Sequence, residues 1–270
     1  MPFTHGSRFA AAPRLRLAAM TAAAPRSDDE KRTVLVVEDD ESTATAVAYH
    51  LARAGYAVSI SKDGLAAITT LKAWRPDALV LDLMLPHVDG WSIIRDVRRW
   101  SPELPIVVMT ARQEEAERLE ALRLGADDLL RKPFSAKELI TRLEAIFRRF
   151  EVQVPADGGD VSLGDLEVDR DRLQVRVAGD IAPLTPLETK LLWILLEEKG
   201  RTLSRDEIFD RVWGGQRQDG DRSVDVLVRR LRRKVDEAGG QYTYVQTELG
   251  EGYRLEAVPR AFPLRGRRRA

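Results

Sequence analysis

Five side chains in the first half of the chain have types and spacing suited to chemistry: Glu38, Asp39, Asp82, Thr110 and Lys132. Each stands at or just past the end of a short strand-like run, at residues 34–37, 78–81, 106–109 and 128–131 in turn. Carboxylates brought together repel and need a compensating cation, and a hard divalent ion such as Mg²⁺ with oxygen ligands and retained waters suits them. A carboxylate neutralised in this way can receive a phosphoryl group, because phosphoryl transfer rests on positioning and charge stabilisation. A hydroxyl and an ammonium nearby could hold the new phosphoryl oxygens. Taken singly, an acid after a strand is usually a helix cap and a lysine a solvated charge. Candidates in order at the ends of four such runs argue against coincidence.

The elements that must position these groups follow from periodicity. The run at 77–82 is almost unbroken in apolar character and is followed by Pro86, Asp89 and Gly90, as expected of a strand buried on both faces of a parallel sheet. Residues 33–38, 56–60, 105–110 and 128–131 supply four more strands. Helical spacing links them: Ala44, Val47, Ala48 and Leu51 up to Gly55; 63–73 with Asp63 as cap; Trp91, Ile94 and Val97; 113–124 closed by Gly125; and a last helix to Phe150 opened by the capping-box pattern Ser135–Glu138. Five strand–helix repeats imply a parallel sheet covered on both faces, with strand carboxyl ends along one edge.

These residues resemble the receiver domain of bacterial two-component response regulators. The resemblance rests on Glu38-Asp39, Asp82-Leu-Met-Leu-Pro86, Asp89-Gly90, Thr110-Ala111, Gly125-Ala-Asp-Asp128 and Lys132-Pro133-Phe134, and covers about 33–150. It implies a flavodoxin-like doubly wound fold in strand order 2-1-3-4-5, an arrangement for which a receiver protein is a standard example. It further implies that Asp82 accepts a phosphoryl group from a sensor histidine kinase. Glu38, Asp39, Asp82 and the Met84 carbonyl would arrange Mg²⁺, Thr110 and Lys132 would act as switch and phosphate-binding residues, and the bond before Pro133 would be cis. The family's aromatic switch position holds Leu129 here, which leaves both a buried strand leucine and an altered switch open.

The second half reads differently. Residues 151–160 contain Pro155 and Asp157-Gly158-Gly159, a linker composition. Short strand-like pieces follow at 166–168, 173–177 and 181–184. Thr185-Pro186-Leu187-Glu188 combines an N-cap, a first-position proline and a capping-box acid, and Ser204–Glu207 opens a second helix. A third helix is expected over 224–238, with Val224, Leu227, Val228, Leu231 and Val235 on one stripe and Arg222, Val226, Arg229, Arg230 and Arg233 on the opposite face. Arginines so placed can reach phosphates or guanine edges, and Val226 a thymine methyl; a solvated basic face is the plainer reading. A hairpin around Gly250-Glu251-Gly252 follows.

Together with Val212-Trp213 and Tyr253-Arg254, these pieces resemble the winged-helix effector of the OmpR/PhoB family over about 161–257. The resemblance implies an α+β winged-helix domain with 224–238 as the DNA recognition helix. Contacts to double-stranded DNA would come from Arg222, Ser223, Val226, Arg229, Arg230, Arg232, Arg233 and Arg254. Residues 248–251 would form the wing, and 214–221 a loop facing RNA polymerase. Two departures stand out: Leu249 occupies the place of a minor-groove arginine, between Glu248 and Glu251, and Leu227 a place often polar.

Composition agrees with a two-domain soluble chain. The 270 residues are 44% hydrophobic and 32% charged with zero formal net charge, and without cysteine there are no disulfides or thiolate sites. No apolar run approaches the ~20 residues of a membrane helix, and a cytoplasmic location is expected. The expected organisation is a disordered tail (1–32, with Met20 a second candidate start), a receiver (33–150), a linker (151–160), a winged helix (161–258) and a basic tail (259–270). The function expected is a transcriptional regulator, not an enzyme, that dimerises on phosphorylation of Asp82 through the face of the fourth helix, fifth strand and fifth helix. Asp127 or Asp128 with Lys137 and Arg142 would supply cross-subunit pairs. Two rivals are a constitutive DNA binder whose receiver only dimerises, and an aspartyl-phosphate hydrolase.

Overall fold

The computed structural model describes residues 31–111, 114–150, 161–169, 174–198, 200–238 and 240–260, with side chains omitted at 148–150. All but the last two residues of the expected N-terminal tail (1–32), the linker and most of the basic C-terminal tail lie outside these residues.

The first half alternates β1 (Thr33–Val37), α1 (Glu41–Arg53), β2 (Ala57–Ser61), α2 (Gly64–Trp74), β3 (Ala78–Asp82), α3 (Gly90–Trp100), β4 (Ile106–Thr110), α4 (Glu115–Leu124), β5 (Asp128–Arg131) and α5 (Ala136–Phe150). All four pairings in its sheet are parallel, in the order β2-β1-β3-β4-β5. The two-residue strand period divides its core. Leu35, Val37, Leu79, Leu81, Ile106 and Val108 face one way, against α2, α3 and α4. Val34, Val36, Ala78, Val80, Val107 and Met109 face the other, against α1 and α5. Central strands β3 and β4 are buried throughout, whereas edge strand β2 exposes Ile60. The helix starts are set by local chemistry: Asp40, Asp63 and Asp89 accept from the amides of Thr43, Ala66 and Ser92, at 2.7, 2.8 and 2.7 Å.

The second half opens with an antiparallel sheet of β6 (Val161–Leu163), β7 (Leu166–Asp169), β8 (Gln174–Val177) and β9 (Asp180–Ile181). Strand β6 was not expected, and the strand expected over 181–184 ends at Ile181, two residues before Pro183, which has no amide proton to continue a ladder. Three helices follow: α6 (Pro186–Glu197), α7 (Arg205–Trp213) and α8 (Ser223–Val235). The two capping boxes expected in this half form, at Thr185/Glu188 and Ser204/Glu207, whereas at Ser135 the Glu138 amide donates to Ser135 Oγ at 3.1 Å. Strand β10 (Leu203–Ser204) pairs with β12 (Gly252–Pro259), which pairs with β11 (Tyr242–Glu248) in the wing hairpin. The apolar stripe of α8 lies in a core with α6, α7 and Tyr244. Leu227 is 2% exposed there, so its apolar character serves packing.

Among the described residues no helix is long and apolar enough to cross a membrane.

Candidate functional site

The parallel sheet brings the first-half candidates to one edge. Glu38 follows β1, Asp82 ends β3, Thr110 ends β4 and Lys132 follows β5. Carboxylate oxygens of Glu38, Asp39 and Asp82 lie within 4.8 Å of one another. Glu38, Asp82 and Thr110 are buried, at 1%, 5% and 1% exposure. The Lys132 ammonium is 2.5 Å from Asp82 Oδ2 and 2.6 Å from Glu38 Oε2, which ties the first strand end to the third. Its backbone amide donates to the Thr110 carbonyl at 2.8 Å. Thr110 is one residue beyond Met109, the register partner of Asp82. The Lys132–Pro133 bond is cis.

The electrostatics follow from this crowding. Burial pushes the Glu38 carboxyl above its usual range, Asp82 repulsion adds to this, and Lys132 opposes it. Burial pulls the Lys132 ammonium down, but its hydrogen bonds to Asp82 and Glu38 prevail and lift it above the ordinary lysine value. Asp40 caps α1 through Thr43, so its role is local, and burial does little to it.

Backbone approach to Asp82 depends on two contacts. The Met84 amide donates to Asp82 Oδ1 at 2.9 Å. Gly90 lies so close beneath that a Cβ there would meet the Asp82 carbonyl oxygen at 2.6 Å and Leu83 Cα at 2.7 Å. The residue after the Asp89 cap must therefore lack a side chain for the loop to fold back against the strand end.

Leu129 is 8% exposed and packs in the receiver core, paired in register with Val108. Three of the groups expected in cross-subunit pairs, Asp127, Asp128 and Arg142, have partners within the chain. Asp127 is fully buried, bonded to Arg98 at 2.7 Å and to the Ile106 amide at 2.8 Å, and Asp128 pairs with Arg142 at 2.9 Å.

The basic helix divides into two flanks. Arg222, Arg229 and Arg233 are exposed and Val226 half-buried, at the one-face spacing expected. Ser223 and Arg230 depart from it. Ser223 is fully buried, and Arg230 is 4% exposed, because with Leu227 they fall at i, i+4 and i+7 on the inward flank. Arg230 donates to Glu188 at 2.8 Å, Thr185 Oγ1 at 2.8 Å, and the receiver carbonyls of Leu122 and Ala126 at 2.8 and 3.3 Å. Burial would raise the Glu188 carboxyl, but Arg230 and Lys234 hold it down at about 2. Arg232 turns back to the Val245 carbonyl, with its Nη2 at 2.7 Å, and Arg254 is held by Glu248 and Glu256 at 2.6 and 2.8 Å. Leu249 stands 93% exposed at the wing tip.

Sequence reasoning missed Arg118, Leu122 and Asp221, which join the two halves. The available signal was the pattern of α4, where Ala121 and Leu124 pack into the receiver core while Leu122 points elsewhere.

The comparisons agree with this geometry. Residues 34–144 match the response regulator receiver domain, and residues 179–255 match the C-terminal domain of transcriptional regulatory proteins. The alkaline phosphatase synthesis transcriptional regulatory protein PhoP of Bacillus subtilis (strain 168) is 37% identical over 232 residues, which span 83% of this chain and 97% of the relative. The transcriptional regulatory protein CseB of Streptomyces coelicolor is 39% identical over 234 residues, 83% of this chain and 97% of the relative. A RitR mutant structure, 24% identical, superposes with a TM-score of 0.68 over 83% of this chain and 99% of that one, a likeness of fold. The chain belongs to the OmpR/PhoB family of two-component response regulators, transcription regulators switched by aspartate phosphorylation.

Proposed function

We propose that Asp82 is the phosphoryl acceptor and that its modification sets the DNA affinity of the winged helix. The observation that carries this reading is the Lys132 ammonium bridging Asp82 and Glu38 inside the acid cluster. In the transfer, an Asp82 oxygen forms a bond to phosphorus as the P–N bond to a kinase histidine breaks, and the imidazole nitrogen leaves with the bond's electron pair. Lys132 and Thr110 then hold phosphoryl oxygens. The three acids form a hard, oxygen-only donor set suited to Mg²⁺, with the Met84 carbonyl as a further ligand. The ion would supply charge neutralisation between carboxylate and phosphoryl group.

Output rests on Arg222, Arg229 and Arg233, the exposed arginines of α8. They would contact backbone phosphates and guanine edges of double-stranded DNA, with Val226 beside them. Phosphorylation would pair receivers through α4, β5 and α5, so that two effectors read two half-sites. The loop over 214–221 would face RNA polymerase. The protein would work in the cytoplasm with a sensor histidine kinase as donor. The domain limits we assign are 33–150 and 161–258. A hydrolase of the aspartyl-phosphate type would need a second acid two residues after the acceptor, where Met84 stands.

The test is DNA binding and sedimentation of wild type and Asp82→Asn, each with and without a small phosphoryl donor and Mg²⁺. Wild type should gain affinity and dimerise, and the variant should do neither. Equal behaviour of the two would overturn the reading and leave a constitutive DNA binder.

A further inference from the structure

Helix α2 is the least charged helix of the receiver. Of its eleven residues only Lys72 is charged, in a chain that is 32% charged. Ala67 and Leu71 are buried under it and Ile68 partly so, which accounts for one face. The opposite face is exposed: Leu65, by 67%, with Ala66, Thr69, Lys72 and Ala73. These fall at i, i+1, i+4, i+7 and i+8, a single face centred on Thr69. Thr69 adds to its apolar character. The hydroxyl donates to the Leu65 carbonyl at 3.1 Å, which satisfies it within the helix and leaves the methyl group for packing. A helix that is apolar all round is normally covered on both sides. This one is covered on one.

The exposed face also matches itself. Leu65 and Ala73 stand four residues either side of Thr69, Ala66 and Lys72 three, and the cap residues Asp63 and Arg75 six. Asp63 caps the amino end through the Ala66 amide at 2.8 Å, and Arg75 closes the carboxyl end at φ 48 with its side chain exposed. A second α2 laid antiparallel about Thr69 sets leucine on alanine and the lysine stem along alanine. At both ends it sets a carboxylate against a guanidinium. A parallel copy would instead oppose Asp63 to Asp63 and Arg75 to Arg75.

We infer that α2 is a docking face for a second copy of this chain, whose own α2 packs antiparallel across a two-fold axis at Thr69. The complementary charges at the two helix ends select this occupant and this direction. The small side chains beside Thr69 let the helix axes approach to about 8 Å, the near end of the usual range. Helix α2 packs on β1, β2 and α3, at the end of the sheet opposite β5. Pairing through it therefore leaves α4, β5 and α5 open, and it requires no phosphoryl group. One helix pair is smaller than a standard protein interface, so the contact is weak alone and gains from any tether that already holds receivers together. Two different two-fold contacts on one chain would link dimers into larger assemblies, with several effectors side by side on one DNA.

The absence of cysteine from the sequence lets single thiols report on the full-length, unphosphorylated chain. Thr69→Cys places the two thiols of a pair on the axis, and Arg99→Cys, 76% exposed on α3, is the control. A short bis-maleimide should join Thr69→Cys chains about tenfold faster than Arg99→Cys chains at equal concentration, because the pair holds its thiols together. Equal rates would overturn the inference and leave α2 to another occupant or to none. Adding Leu65→Glu should slow the Thr69→Cys reaction about tenfold, since each copy loses a leucine from the contact. Leu65 is exposed, so the fold should tolerate the change, and thermal unfolding checks this. An unchanged rate would overturn the assigned face. Direction is read by mixing Leu65→Cys chains with Ala73→Cys chains. They should link to each other faster than either links to itself, and faster self-linking or no difference would overturn the antiparallel arrangement. None of these readouts depends on Asp82, so they stand or fall apart from the function proposed above.

Discussion

The ammonium of Lys132 lies 2.5 Å from Asp82 and 2.6 Å from Glu38, so one cation offsets two buried carboxylates contributed by different strands. Removing it leaves those charges facing each other. Lys132→Ala should therefore raise affinity for a divalent cation at least about tenfold, the order expected from losing a unit charge a few ångströms away. It should also slow phosphoryl transfer by roughly 10²–10³, as deletion of a group that stabilises developing charge does elsewhere. Calorimetric Mg²⁺ titration and a phosphorylation time course check the two arms. Weaker metal binding in the variant would show that Lys132 does not compensate the cluster.

Gly90 faces the strand end that bears Asp82, and a Cβ at that position has backbone rather than flexible side chain to displace. Gly90→Ala should destabilise the receiver by about 1–3 kcal/mol, the range for overpacking a close contact. Phosphorylation should slow as well, because the atoms displaced are those of residues 82 and 83. Urea unfolding of the variant, with wild-type stability as the contrary result, decides it.

At the wing, Leu249 is exposed and Glu248 is committed to Arg254 at 2.6 Å. Leu249→Arg should add one phosphate-reaching cation. DNA affinity should rise at moderate salt, and the slope of log K against log salt should steepen by roughly 0.9, the value for one neutralised phosphate. An unchanged slope would show that the wing tip does not approach DNA.

Asp236, just past α8, accepts from the Tyr244 amide at 2.8 Å, and burial pushes its carboxyl up to about 6 from an ordinary 3.8, against attraction from Arg232 and Arg260. A carboxyl raised on folding binds its proton more tightly in the folded state. It therefore opposes folding increasingly as pH rises through the window from 3.8 to about 6, and the penalty is fully present above it. Asp236→Asn keeps an acceptor for Tyr244 and removes the charge. At pH 7 the variant's effector should melt higher by about 4 °C, the order that one kcal/mol gives in a domain of this size. Below pH 4 the advantage should vanish. A pH-independent difference would assign the effect to something other than ionisation.

The sequence by itself determined the receiver and its acid site, because each signal there is local. Strand ends, caps and apolar runs are legible one element at a time, and parallel βαβ connections leave Glu38, Asp82, Thr110 and Lys132 no edge but a common one. The capping boxes at Thr185 and Ser204, the apolar stripe of α8 and the wing turn were legible for the same reason. Tertiary structure decided what depends on which surfaces meet. A helical wheel sorts α8 into an apolar and a basic side, but cannot say that Arg230 turns toward Glu188 and the end of α4 while Arg229 stays in solvent. It could not show that Asp127 is consumed by Arg98, or that Leu122 belongs to the core of the other domain. Arginine is long enough to serve a phosphate, a carboxylate or a helix end, and its choice depends on which of these lies within reach once the domains have packed.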